Sequence, residues 1–484
     1  MASTRELGLY ERFSLSRSLS RFAPIVTITA VLRSTTSAFV DALDAHAAIA
    51  TLLSRYPLLR CAIADKDTTT PRYVLTDAAT PANVSAGSSA EGFKSTEQAL
   101  QAGDAAGQAF DLDKGPLWRV WLDPAKGDKR RVTLVLHHTL CDGTGTRNLF
   151  AELLTLLRQP ESISAATENT PLAPSLEQTV NTKVGTLALL KVVYSELLAP
   201  RLPALLRTPP PPVYPSPPSC APYLQPHGLK SLSLPASVVA GLKSAAKSHG
   251  INTLHPPLYT AALAALAATA SAGSLDAPPS FRIAGSTPFS ERSAALGHPN
   301  ATGNYVSAYT EPVILSTLSA KRFWTTCADY ATTLVKPATR QRAREAMGLL
   351  AYLPSGEAPA EEGKPKRTAW EVELEKKAKE GRFGDSFEVS NLGVLPATGW
   401  ENDGIEDVYW AQTASVVGAA FQLNPVAVRG GDLTFTVSYR EGAVPEETVD
   451  RFWRSYEIFL RKLADGSLSE EATFADVARM VEQD

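Results

Sequence analysis

Val132-Thr133-Leu134-Val135-Leu136-His137-His138-Thr139-Leu140-Cys141-Asp142-Gly143 runs into a stretch, Asn148 to Leu157, with apolar residues at helical spacing. The first five residues are β-forming and almost wholly apolar, as expected of a strand buried within a sheet. The reading is therefore strand, turn, helix. The strand delivers two adjacent histidines, of only seven in the chain, to its end. An imidazole titrates near neutrality, which suits general-base work. Consecutive strand residues point to opposite faces, so one histidine faces a channel while the other packs into the body. Asp142 holds the loop by an ion pair or hydrogen bond, and Gly143 is read as supplying a backbone angle that a side chain resists. Three other readings compete. The histidines are core residues beside an ordinary turn; or His137, His138 and Asp142 ligate a metal, although adjacent strand histidines diverge and no further ligand is evident; or Cys141 is a nucleophile paired with His138.

Outward from this stretch the first half keeps an α/β rhythm. Strands are predicted at Ile25–Leu32, Leu59–Ile63, Tyr73–Leu75 and Trp118–Leu122, and one helix over Thr36–Arg55 that stops before Pro57. Eleven of the 35 prolines fall between Pro200 and Pro226. Proline fixes φ and has no amide donor, so this stretch reads as a stiff, extended connector. It divides the chain into residues 1–199, a linker 200–227, and residues 228–484. In the second half, strands are predicted at Leu229–Leu234, Arg282–Thr287, Val306–Thr310, Phe387–Ser390, Ser415–Leu423 and Leu433–Tyr439. Helices follow Pro235 and cover Pro257–Ala270 and Glu446–Leu463. The charged segment Gly356–Gly381 reads as a loop plus a surface helix. Leu433–Val437 leading into Glu441-Gly442 weakly echoes Val132–Leu136 leading into Asp142-Gly143.

At 484 residues the chain exceeds what one core usually supports, so two are expected. Its 47 Lys+Arg against 50 Asp+Glu leave a net charge of -3, no footprint for nucleic acid. Cys61, Cys141, Cys220 and Cys327 are scattered without a CxxC pair, which argues against a disulfide scaffold or a cysteine zinc site and for a reducing compartment. No signal-peptide core follows Met1–Glu6, and no run is long and apolar enough to span a bilayer. Leu-rich Val184–Leu206 reads as an amphipathic helix packed on the body, with peripheral membrane contact as the alternative.

The motif and its companions resemble the CoA-dependent acyltransferases of the chloramphenicol acetyltransferase fold, most closely the fungal alcohol acetyltransferases. Arg55-Tyr56-Pro57-Leu58-Leu59-Arg60 resembles HPxLR, and Phe110-Asp111-Leu112-Asp113-Lys114-Gly115-Pro116-Leu117 resembles FDLxxGPL. Pro288-Phe289-Ser290-Glu291-Arg292 sits at a PVNLR-like turn. Gly303-Asn304-Tyr305-Val306 resembles GN(F/Y)V, and Ser390-Asn391-Leu392-Gly393 resembles SNLG. The DFGWG of the plant BAHD enzymes is missing; Tyr409-Trp410 lies in roughly that region.

The resemblance implies an α/β fold of two half-domains, each a mixed sheet flanked by helices, with the active-site channel between them. It implies His138 as general base, Asp142 as a loop-holding partner of Arg292, and Ser390 as oxyanion donor. His137, Gly143, Gly303, Asn304, Asn391, Tyr409 and Trp410 are candidates for lining the substrate site. It implies acyl-CoA, with acetyl-CoA foremost, as co-substrate, a small-molecule alcohol as acceptor, and no metal or tightly bound cofactor. A cytoplasmic monomer that binds no nucleic acid is expected. The competing functions are a condensation-like enzyme using a carrier-protein thioester or an amine acceptor, and a non-acyltransferase built on the same fold.

Overall fold

The computed structural model describes residues 4–86, 91–159, 171–203, 211–215, 226–271, 281–354, 356–358, 366–381, 383–396, 404–415 and 417–483. Two sheets organise it. The first has four antiparallel strands in the order Ile405–Gln412, Ile25–Arg33, Lys129–His137, Trp118–Leu122. The second has seven strands. Asp385–Val389 lies between Arg282–Ser290 and Ala419–Leu423 and is parallel to both. Val306–Ile314, Leu433–Arg440, Val426–Ala427 and His227–Leu234 join antiparallel, making a mixed sheet. Thr4–Glu6, Arg72–Leu75 and Cys61–Ala64 form a small third sheet.

Two hydrophobic cores result, as the length requires. One packs the four-stranded sheet against helices Ala45–Arg55 and Gly143–Arg158. The other packs the seven-stranded sheet against His255–Ser271 and Glu446–Ala464. The strand Lys129–His137 is interior to its sheet, and Val132 to His137 are all buried, so its end is a rigid mount for whatever follows.

Several expectations change. The single helix over Thr36–Arg55 is two, Ser37–Asp41 and Ala45–Arg55; Asp44 caps the second by accepting from the His46 amide at 2.9 Å, and the apolar period ran through that cap. No strand was expected at Ile405–Gln412, and residues assigned to the second half there pair with Ile25–Arg33 of the first. Glu406, Asp407 and Gln412 interrupt its apolar pattern, and only Val408, Trp410 and Ala411 are buried. The helix in the charged segment, Ala369–Lys379, is anchored by buried Trp370, Glu371, Leu374 and Ala378. Most of the proline-rich connector, 204–210 and 216–225, lies outside the described residues; Val213 makes an isolated parallel bridge to Arg282. Of the echo between the two strand–turn–helix units, only the order of elements is shared. The first helix starts at Gly143, directly after Asp142, whereas Ala443 to Pro445 separate Gly442 from Glu446.

In the described part of the Leu-rich segment Val184–Leu206, the expected burial of an apolar face against the body is not seen. No residue of helix Thr186–Val193 is buried, and Leu187, Leu190, Tyr194 and Leu198 are 77%, 57%, 53% and 51% exposed. Helical spacing identifies an apolar stripe but not what covers it. No helix among the described residues is long and apolar enough to cross a membrane.

Candidate active site

His137 and His138 leave the strand end in opposite directions. His137 is fully buried and absent from the cavity, which corrects its expected substrate contact. The Thr139 amide donates to its Nδ1 at 3.2 Å, so Nε2 carries the proton and donates to Ser18 Oγ at 2.7 Å. Ser18 in turn donates to the Ser14 carbonyl. His137 therefore ties the strand to the N-terminal helix, Leu9–Leu19. Burial, then His138 and Arg17, push its imidazole down to about 3.

His138 is held in the other tautomer. Asn304 Nδ2 donates to the carbonyls of His138 and Thr139 at 2.8 and 2.7 Å. This orients the amide so that Oδ1 faces His138 Nδ1 at 3.1 Å. An amide oxygen only accepts, so Nδ1 carries the proton and Nε2 keeps its lone pair. His138 lines a cavity of about 230 Å³, with the Tyr10 ring edge-on at 5.3 Å. Asn304 was expected beside the substrate. It does not line this cavity but stands behind the histidine, setting its tautomer and direction.

Burial above all lowers the His138 imidazole below its ordinary 6.5, and Arg17 pushes the same way. The neutral form is the base, so activity is lost as pH falls through this value. The acid limb of kcat/KM is therefore expected below pH 6.5, and Asn304→Asp is expected to move it upward by adding negative charge at Nδ1. A wild-type limb at or above 6.5 would contradict this arrangement.

Asp142 is spent on structure. It caps helix Gly143–Arg158 through the Gly145 amide at 2.7 Å and accepts the Tyr305 amide at 2.7 Å. Arg292 Nη2 donates to both carboxylate oxygens at 3.0 Å. Arg292 Nη1 also donates to the carbonyls of Pro299 and Thr302, both at 2.7 Å. Gly303 lies outside the cavity, at φ +78°, and exchanges backbone hydrogen bonds with Leu140 and Asp142. The histidine loop and the 299–305 loop are thus locked together. A Cβ at Gly145 would lie 2.6 Å from both Arg292 Nη2 and Cys141 Sγ. Gly143 has no unusual φ, contrary to expectation; a Cβ there would lie 2.9 Å from Leu392 Cδ2, the end of a side chain that would have to shift. Burial pushes the Cys141 thiol up to about 12, which disfavours it as a nucleophile.

Across the cavity stand Ser390 and Asn391, directly after strand Asp385–Val389. The Ser390 amide is held by the Leu423 carbonyl, while no hydrogen bond engages its hydroxyl among the described residues. Asn391 Oδ1 accepts the Gly393 amide at 2.8 Å and shapes the turn. Trp410 and Gln412 lie on the cavity face of strand Ile405–Gln412; Tyr409 points to the opposite face and does not line the cavity, which corrects its expected contact. The sequence reading missed Tyr10, Phe13 and Arg17 of the N-terminal helix, and Asp385 and Glu388. A signal existed: Tyr10, Phe13 and Arg17 share one helical face, and Glu388 stands between buried Phe387 and Val389.

The Condensation domain family model matches residues 20–168. The model of the wax ester synthase/diacylglycerol acyltransferase catalytic domain matches residues 101–280. No curated protein matches the sequence. Among solved structures, a trichothecene 15-O-acetyltransferase from Fusarium sporotrichioides superimposes with a TM-score of 0.64 at 14% identity, over 95% of each chain. The condensation domain of a monacolin K polyketide synthase gives 0.59 at 14% identity, over 96% of this chain and 98% of that one. The chain has a condensation-type acyltransferase fold. An epimerization domain of tyrocidine synthetase B shares it, with a TM-score of 0.59 at 14% identity over 98% of both chains. The condensation-type fold therefore hosts more than one chemistry, and the reaction has to be argued from the site.

Proposed function

We propose that this protein transfers an acyl group from an acyl thioester to the hydroxyl of a small-molecule alcohol, with acyl-CoA, foremost acetyl-CoA, as donor. The observation that carries the reading is the His138 tautomer: Nδ1 is bound to Asn304, and Nε2 is left as the basic atom of a side chain lining the cavity. The acetyltransferase among the structural neighbours supports an oxygen acceptor.

In this reading His138 Nε2 takes the proton of the acceptor hydroxyl as its oxygen attacks the thioester carbonyl carbon. The C–O bond forms and the carbonyl oxygen becomes an oxyanion, to which the Ser390 hydroxyl donates. The intermediate then collapses. The C–S bond breaks, the sulfur takes the proton back from Nε2, and an ester and a free thiol leave. No acyl-enzyme forms, the donor is consumed as co-substrate, and no tightly bound cofactor takes part. His138 and Ser390 come from one chain, so a monomer suffices. Ser390→Ala is expected to lower kcat by roughly 10²–10³ with little change in KM; wild-type kinetics in this variant would leave Ser390 as a turn residue.

A donor presented on a carrier protein is the second reading, favoured by the Condensation domain match. The test is thiol release and ester formation over a panel of acyl-CoAs and alcohols, with acyl-pantetheine and acylated carrier protein as further arms. Turnover with acyl-CoA supports the first reading, and turnover with acylated carrier protein alone supports the second. No thiol release in any arm rejects acyl transfer.

A further inference from the structure

Arg17 is a buried cation without an ion-pair partner among the described residues. It sits on the cavity face of helix Leu9–Leu19 with Tyr10 and Phe13, and is only 7% exposed. Among the described residues its guanidinium makes no ion pair and no side-chain hydrogen bond, and its Nε is buried without a partner. The Phe13 ring lies 6.0 Å from its Cζ, and Tyr10, Glu388 and Asp104 act on it electrostatically without pairing with it. Arg292 shows the contrasting outcome: its two terminal nitrogens donate to a carboxylate and three carbonyls, although its Nε, like that of Arg17, is buried without a partner. A guanidinium stays protonated in proteins, and leaving one buried and unpaired is costly.

The acids of the same cavity form no ion pair with it, although Glu388 is close enough to act on it electrostatically. Glu388 accepts from Gln412 Nε2 at 2.9 Å, and Asp385 accepts from Thr310 Oγ1 at 3.3 Å; neither reaches Arg17. Burial pushes Glu388 up to about 7 and Asp385 up to about 6, with Gln412 and Arg17 pulling Glu388 the other way, so near neutrality Glu388 is poised between holding its proton and releasing it. Arg17 is the one lysine or arginine among the described residues lining this cavity.

We infer that Arg17 and Glu388 form a carboxylate-binding subsite in the cavity onto which His138 opens, so that one of the two substrates carries a carboxylate. The planar guanidinium fork matches a carboxylate, and an arriving anion supplies the ion-pair partner that the described residues do not. An ammonium group would face the unpaired Arg17 charge. This subsite rests on the acyl-transfer reading only for which substrate brings the carboxylate: the acyl group or the acceptor.

Two measurements keep the inference and that reading apart. The first needs no turnover: calorimetric titration of the intact protein with butyrate and with n-butanol. Butyrate is expected to bind at least about tenfold tighter, the gain typical of a charge-assisted hydrogen bond. Arg17→Gln, or Arg17→Met should the first variant fail to fold, is expected to lose that preference. Equal wild-type affinities, or a preference that survives in a folded neutral variant, would overturn the subsite. The second is thiol release with acetyl-CoA or succinyl-CoA against n-butanol or γ-hydroxybutyrate. A kcat/KM advantage of at least about tenfold is expected for the carboxylate-bearing substrate: with succinyl-CoA the carboxylate sits on the acyl group, with γ-hydroxybutyrate on the acceptor. Turnover without advantage in either arm counts against the subsite. Binding preference without any thiol release leaves the subsite standing and removes acyl transfer.

Discussion

His138→Ala is expected to lower kcat by about 10²–10⁴, the usual contribution of a positioned general base, while the melting temperature stays near that of wild type. An alcohol ionises too weakly near neutrality to attack a thioester unaided, so a base at the acceptor oxygen is the principal chemical need. The geometry explains why the loss would be catalytic. The His138 ring makes one side-chain hydrogen bond, to Asn304, and otherwise borders the cavity. His137→Ala is the contrasting variant. It removes the buried links to Ser18 and Thr139 that fasten the N-terminal helix, so it is expected to lower stability first and activity through it. Thiol release and thermal denaturation on the same preparations separate the two. Turnover by His138→Ala within about threefold of wild type would remove the base from the mechanism.

Asp142→Ala is expected to destabilise the fold by about 3–5 kcal/mol, because it strands the buried Arg292 charge. Both side chains are almost fully buried. The same change uncaps helix Gly143–Arg158 and frees the Tyr305 amide. Activity is expected to fall too, since Asn304, which aims His138, sits between Gly303 and Tyr305 in the loop that Asp142 and Arg292 hold. Arg292→Ala is expected to cost a similar amount, and the double variant clearly less than the two single losses added together, because the stranded charge is counted only once. Chemical denaturation of the three variants checks this. Additive losses, or a single loss below about 1 kcal/mol, would mean that the pair does not hold the loop.

The parts of this site that are legible in sequence are those carried by short contiguous patterns. Val132 to Leu136 reads as a buried strand from its own composition, and it has to deliver His137 and His138 to its end with one facing each way. Which one faces the cavity, and in which tautomer, depends on Asn304 and Ser18, more than a hundred residues away on either side. Thr139 fixes the His137 tautomer locally, but the partner that fixes His138 lies outside the motif. The N-terminal helix was unread because it buries Ser14, Ser16 and Arg17 along with Leu15, and a polar buried face has no apolar period. Strand Ile405–Gln412 was unread because acidic residues at 406 and 407 mask its alternation. Its membership in the first sheet is a long-range pairing that local patterns do not carry. Nothing in the sequence marks Arg17 out; only the folded chain shows it buried without an ion-pair partner among the described residues.

The most direct test of the account is to follow thiol release, ester formation and intact protein mass together, using the acyl-CoA and alcohol that turn over best. With the alcohol present, one thiol is expected per ester. Without it, no thiol burst and no acyl adduct on the protein are expected, and His138→Ala is expected to lose thiol and ester formation alike. A stoichiometric burst of thiol with an acyl adduct in the absence of alcohol would contradict direct transfer assisted by His138.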